Sequence, residues 1–393
     1  NDAIKWLDSY YSYNESNRST SASVYGDSFF KIKAKNLSGK EADIDEGYFY
    51  GDIQSPGKNL VSKIAGVDNP LRRGKLFGLN TAAKAPKDQI ILWFTEFSKN
   101  VATQGQVFEM PNGNLPAQVI NMAKVTKDGR DLAQLTQKFL HGAVSYSQTA
   151  RDYFATDLGP TKGLNADNSV PSKQGTSYTA MEHHYDEGFG YFGAARDFLN
   201  YTDLQIRNKV SIDTDQNDFV SIKKEMNLGV SYVTGRMDLT AIDKKMDLSN
   251  EVMTALLKGR HLITEKPEGY KKYVAANATV ALGAWEKTIA GVVTHYINRT
   301  IKSLDVYGTT EYSFMNTAKF WSEMKGYGLA FQFNPNAIMT DINFDKMHAL
   351  MADSPVLPQS GESAVKAYKA NLLQARKILQ TTYGFSSANV QGW

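Results

Sequence analysis

The alternation of apolar and polar positions changes character along the chain. Residues 9–23, Ser-Tyr-Tyr-Ser-Tyr-Asn-Glu-Ser-Asn-Arg-Ser-Thr-Ser-Ala-Ser, are polar and low in complexity, which predicts a loop. Phe29-Phe30-Lys31-Ile32-Lys33 alternates briefly, as a short strand does, and Gly47-Tyr48-Phe49-Tyr50-Gly51 has the make-up of an aromatic turn. From about Asp88 the pattern becomes helical: Ile90, Ile91, Trp93, Phe94 and Phe97 recur at roughly 3.6-residue spacing, and Asn112-Gly113 ends the stretch. Residues 115–125 form a second amphipathic segment. Residues 130–158 form a third, with Leu132, Leu135, Phe139 and Leu140 on one face and a break expected at Gly142. Gly159-Pro160 stops it, and a polar loop runs to about Gly175.

Helical spacing resumes over 178–201 and, after an acidic loop, over 248–262, where Ser249 is the expected N-cap. Pro267 opens a long segment reaching Asp305, since proline suits a first helical turn, with Gly308 just past its end. Residues 312–331 continue the pattern up to Asn334-Pro335, and a last helix spans 362–383. The expectation is an all-α protein built of helical bundles. An irregular segment, 1–87, packs on a core of 88–393, with two lobes dividing near 202–247.

Composition narrows the function classes. With 42% hydrophobic and 22% charged residues the chain is ordinary for a soluble globular protein. A net charge of +3 is too small to argue for nucleic acid, and no basic stretch is interleaved with aromatics. Cysteine is absent, which excludes disulfides, thiolate metal sites and cysteine nucleophiles. No apolar run approaches the roughly 20 residues of a transmembrane helix. The chain starts at Asn1 without methionine, so removal of a leader is expected. A phosphate-cradling glycine loop, a dinucleotide fingerprint and a Gly-x-Ser-x-Gly elbow are all missing, which argues against nucleotide enzymes and α/β hydrolases.

Candidate chemistry concentrates in residues 181–193, Met-Glu-His-His-Tyr-Asp-Glu-Gly-Phe-Gly-Tyr-Phe-Gly, which hold two of the six histidines. Residues three or four apart share a helix face, so Glu187 lies beside both His183 and His184. Imidazole next to carboxylate is the raw material of a transition-metal site or an acid–base pair. His183, His184 and Glu187 are the candidate ligands, for iron or zinc, and Glu182 and Asp186 are additional contacts. The aromatic and glycine run 189–193 would supply an apolar wall. One helix gives two or three ligands, so His295, His261, Glu251, Glu286 and Glu311 are candidates to complete the sphere. His295 and Glu286 are nine positions apart, on opposite faces of a straight helix. The plainer alternative is a helix whose histidines pack in the core.

A second cluster, Asp213-Thr-Asp215-Gln-Asn217-Asp218-Phe219-Val220-Ser221, places oxygen side chains at positions 1, 3, 5 and 9 of an EF-hand-like loop, which suits Ca²⁺. Position 6 is Asp218 rather than glycine and position 12 is Lys224, with Glu225 one place late. Asp213, Asp215, Asn217, Ser221 and Glu225 are the candidate ligands, and a solvated acidic turn is the alternative.

His184-Tyr-Asp-Glu187 resembles the His-x-x-Glu signature of imelysin-like proteins, whose motif is Gly-x-His-x-x-Glu; Glu182 stands at the glycine position. The run Glu182-His-His-Tyr-Asp-Glu-Gly-Phe-Gly-Tyr-Phe-Gly193 also resembles a family of uncharacterised secreted bacterial proteins, often lipoproteins. Further stretches of that kind are 144–151, 213–218, 285–298 and 321–335. The imelysin resemblance implies two packed helical lobes, an envelope location and iron uptake or peptidase activity; the second resemblance implies a periplasmic or cell-surface protein that has lost a signal peptide, with a lipid anchor. The expected function is an envelope protein that binds a metal ion or metal-bearing small ligand, iron foremost, and works with an outer-membrane receptor. Alternatives are a metal-dependent hydrolase using the same residues and a non-catalytic surface interaction protein. A zinc peptidase of the His-Glu-x-x-His type needs histidines at i and i+4, and the chain has no such pair.

Overall fold

The computed structural model describes residues 2–13, 33–45, 58–67, 69–103, 107–243 and 246–393. Among them are thirteen α-helices and two two-stranded sheets, the expected all-α protein with an irregular N-terminal region. That region nevertheless opens with a helix, α1 (Asp2–Tyr11). Ser9, Tyr10 and Tyr11, expected in a loop, close it, and Tyr11 packs edge-on against Phe94 at 5.8 Å. The expected strand at 29–33, Lys33 apart, and the aromatic turn at 47–51 lie outside the described residues. A small ladder pairs β1 (Ala34–Lys35) with β2 (Glu41–Ala42), and the single turn α2 (Leu60–Lys63) follows.

Proline at the first turn starts α3 (Pro86–Ala102), which buries Ile90, Trp93 and Phe94, whereas Ile91 points to solvent. The segment after it corrects the pattern reading. Residues 115–120 are not helical: β3 (Phe108–Asn112) and β4 (Leu115–Ile120) form an antiparallel hairpin with Phe108 opposite Ile120 and Asn112 opposite Leu115. Gly113 and Asn114 are the two residues between the strands; glycine first in a two-residue turn is a hairpin signal, and Gly113 takes the left-handed conformation (φ +59°) that this position requires.

Asp131 caps α4 (Leu132–Leu140) by accepting from the amides of Ala133 and Gln134. The chain does not break at Gly142. It continues as two π-helical stretches, His141–Tyr146 and Gln148–Tyr153. A Cβ on Gly142 would fall 2.4 Å from Cβ of Ala330, so glycine is there for close packing. The histidine helix, α5 (Ala180–Phe192), is shorter than expected because Gly193 ends it in the left-handed conformation.

Two helices follow, α6 (Asp203–Asn208) and α7 (Ser231–Thr240), and then α8 (Leu248–Glu265). The expected cap, Ser249, is itself capped: Asp238 of α7 accepts from the amides of Leu248 and Ser249 and from the Ser249 hydroxyl. The spine is α9 (Tyr270–Asp305), whose 36 residues span about 54 Å. Its small and β-branched buried positions, such as Ala281, Ala284, Ile289 and Val293, let α8, α10 (Phe314–Gly328) and α12 (Glu362–Tyr383) pack closely around it. Between α10 and α12 come a 3₁₀ turn, Leu329–Phe333, and α11 (Asp341–Met351); α13 (Ser387–Gly392) ends the chain. One hydrophobic cluster runs from Tyr11 to Trp393 and takes in Ile206, Val210, Val230, Val233 and Met237 from the segment 202–247. No helix among the described residues is long and apolar enough to cross a membrane.

Candidate functional site

At about 100° per residue, α5 has three faces. Met181, Tyr185, Gly188 and Phe192 are buried in the core. One flank carries His183, His184, Glu187 and Tyr191, and the other carries Glu182, Asp186, Phe189 and Gly190.

On the first flank His183 Nε2 lies 3.3 Å from Glu187 Oε1. The His183 ring stacks on Tyr178 and neighbours the His184 ring, with centroids 6.0 Å apart. His184 in turn meets Tyr153, which stacks on Tyr191. Burial pushes the Glu187 carboxyl up. The Tyr153 hydroxyl, which donates to it, and the charges of Lys58 and His183 outweigh burial and hold it below the usual glutamate range. Lys58 Nζ stands 3.6 Å from Glu187 Oε1. The Tyr153 phenol is pushed well up, by burial first and then by Glu187. His184 is lowered, chiefly by burial against the opposing pull of the Gly163 backbone. Its Nδ1 is buried and has no hydrogen-bond partner among the described residues. His183, by contrast, is 43% exposed and is no core residue.

The other flank serves structure. Thr179 and Glu182 form a reciprocal capping box, so the acid at the motif's glycine position satisfies the helix's first amides. Arg260 of α8 then grips Glu182 at 3.0 Å and Asp186 at 2.8 Å. The apolar wall expected from residues 189–193 divides: Tyr191 faces the histidines, while Phe189, Gly190 and Gly193 line a cavity on the far side.

The distant candidates go elsewhere. His295 packs on Tyr296 among Arg236, Arg299 and Arg207, and burial first, then these cations, lower its pKa to about 3. Glu251 pairs with Lys287, and Glu286 is bound to Tyr146, Tyr383 and Met339. His261 and Glu311 are exposed. Sequence reasoning missed Tyr153 and Lys58. Tyr153 sits two residues beyond a stretch already singled out, but only the π-helical path turns it to α5; Lys58 carries no local signal.

Among the described residues one group of three or more His or acid side chains has donor atoms all within 4.8 Å, namely Asp213, Asp215 and Glu225. Glu225 is buried, its Oε2 accepting from the Ser221 amide and its Oε1 from the Thr214 amide, each at 2.9 Å. Burial raises its pKa, but these donors prevail and lower it. Asp213 accepts from the amides of Asn217 and Asp218, and Asp218 takes the left-handed conformation (φ +68°) at the position where EF-hands have glycine. Beside this group Asn217 Oδ1 accepts from the Phe219 amide, and the Ser221 amide donates to Glu225. Lys224 Nζ pairs with Asp215 at 2.9 Å.

These features define an all-α protein in which one helix sets an imidazole–carboxylate pair against a buried tyrosine. The chain belongs to the family described as Domain of unknown function (DUF4856), whose model matches residues 48–253, just over half of its length and all of α5. No curated protein and no solved structure matches it.

Proposed function

We propose that the chain is a binding protein for a transition metal, iron or an iron-bearing small ligand foremost, with His183 and Glu187 as leading ligands and Tyr153 and His184 beside them. The observation that supports this most is the 3.3 Å contact of His183 with a Glu187 carboxylate that also accepts from Tyr153. Imidazole suits iron, zinc and copper, and a charged carboxylate adds a hard oxygen. The orphaned Nδ1 of His184 is a further donor waiting for a partner, and the resemblance of His184-x-x-Glu187 to the imelysin-like signature points the same way. Lys58 competes for Glu187, but its side chain is 58% exposed and free to swing into solvent. Binding is favoured over hydrolysis because the chain has no pair of histidines at i and i+4 of the His-Glu-x-x-His type. Metal analysis and titration of untagged protein with Fe³⁺, Zn²⁺ and Cu²⁺ test the reading. About one equivalent should bind, and His183→Ala or Glu187→Ala should weaken it at least about tenfold. A wild-type protein that takes up none of the three ions overturns it.

A second reading, structural in kind, places Ca²⁺ at the loop 213–225. It is favoured by the three converging carboxylates and the left-handed Asp218. The ion must displace the Lys224 amine from Asp215, which puts the affinity in the weak range of about 10⁻⁴–10⁻³ M.

A further inference from the structure

Between α5, α8 and residues 222–228 lies a cavity of about 700 Å³, within the roughly 300–1,000 Å³ of small-molecule sites. It is separate from the histidine flank. Its floor is apolar: Met253 and Leu256 are buried, and Phe189 and Met226 form the sides. Leu228 and Leu257, 41% and 45% exposed, stand at the mouth. The methionines are unbranched and polarisable, so the walls adapt to a flexible apolar guest.

The polar lining is almost all of one sign. Arg196, Lys223 and Arg260 border the cavity, against a single acid, Asp186, which Arg260 already holds at 2.8 Å. Arg196 is exposed at the rim, and its backbone amide donates to the Lys224 carbonyl at 2.7 Å, which fixes the base of the side chain.

Gly190 gives the independent clue. Glycine inside a helix costs stability relative to alanine, and a helix keeps it for a left-handed turn or a close contact. Gly190 has neither: its φ is not positive, and a Cβ there would meet no atom of the described residues within 4 Å. What its bareness does is leave the α5 wall of the cavity open.

We infer that this cavity binds an amphipathic carboxylate, its alkyl chain lying along Gly190 over Met253 and Leu256 and its carboxylate at the rim beside Arg196. Shape and charge act together here: the apolar floor selects the chain and the cationic rim selects the sign.

Calorimetric titration in EDTA with dodecanoate, and with dodecyltrimethylammonium as the cation of equal chain length, tests it. Dodecanoate should bind with a stoichiometry near one and the cation at least about tenfold more weakly. Gly190→Leu should fill the cavity and reduce dodecanoate affinity at least about tenfold, with a melting temperature no lower than wild type because leucine is the better helix former. Arg196→Glu, a surface change, should cost a similar factor. The inference is overturned by absence of dodecanoate binding below its micellar concentration, by equal binding of both amphiphiles, or by unchanged affinity in both variants. Should Gly190→Leu fail to fold, Arg196→Glu alone decides.

Discussion

The hydroxyl of Tyr146 donates to Oε2 of Glu286 at 2.9 Å, joining a π-helical turn to the middle of α9 across 140 residues of chain. The other oxygen, Oε1, accepts from the Tyr383 hydroxyl and the Met339 amide, both at 2.8 Å. One buried carboxyl thus ties together four parts of the chain. Burial pushes its pKa up in spite of the three donors.

Removing it should be costly. Glu286→Ala leaves two hydroxyls and an amide without their acceptor, and a loss of about 3–5 kcal/mol is expected in urea unfolding. The folded pKa lies above the unfolded one, so the folded state binds the extra proton. Stability should therefore be greatest below the ordinary glutamate range and fall as pH rises through the folded value. Glu286→Gln should flatten that fall, and unfolding profiles of wild type and Gln variant that run parallel through the acid and neutral range would refute this.

Glu187 works in the opposite direction. Its folded pKa is depressed, so its stabilisation is present above the ordinary glutamate range and is lost as pH drops through the folded value. Tyr153→Phe deletes the hydrogen bond. Carboxyl NMR titration of Glu187 should then show a higher pKa than in wild type, with little change in global stability at neutral pH. An unmoved titration means that the hydroxyl does not support this carboxylate.

The Arg260 clamp joins α5 to α8 at a half-exposed position, where solvent screens the charges. Arg260→Ala should cost only about 0.5–1 kcal/mol, and less in high salt. Thr179→Ala, which removes the capping hydroxyl, should cost about 1 kcal/mol irrespective of salt. Thermal melts at two salt concentrations separate the two contributions.

Calcium at the acidic loop is checked by melting temperature. Millimolar Ca²⁺ should raise it by a small amount, and Lys224→Ala should enlarge the response by freeing Asp215. No response in either protein would show that the loop is held by its own donors alone.

How far the sequence pattern carries depends on where the information sits. Helix α12 is legible at both ends, 362–383, because glycines at 361 and 384 flank a regular apolar stripe. The hairpin escapes because the glycine of Asn112-Gly113 ends a helix pattern as convincingly as it opens the two-residue turn Gly113-Asn114. Helix α7 escapes for another reason: Ser231, Thr234, Gly235 and Asp238 are on its buried side, so its polarity runs against the usual rule. The cap of α8 comes from Asp238, ten residues upstream, where no local motif points. At the site, His183 and Glu187 are one helical turn apart and readable from spacing alone, whereas Tyr153, Lys58 and Arg260 arrive only through tertiary folding.

The two π-helical stretches between His141 and Tyr153 bear on how the site tolerates a lost residue. A π turn holds more residues than an α turn, so this segment carries slack that a deletion can take up without breaking the backbone. Losing one residue there would tighten one π turn into an α turn and leave the residues beyond it facing much as they do now. The same deletion in a regular α-helix would instead turn everything beyond it by about 100°. Homologous sequences are therefore best compared by the length of this segment as well as by their histidines: a relative one residue shorter here would keep both the motif and the register, with one π turn fewer.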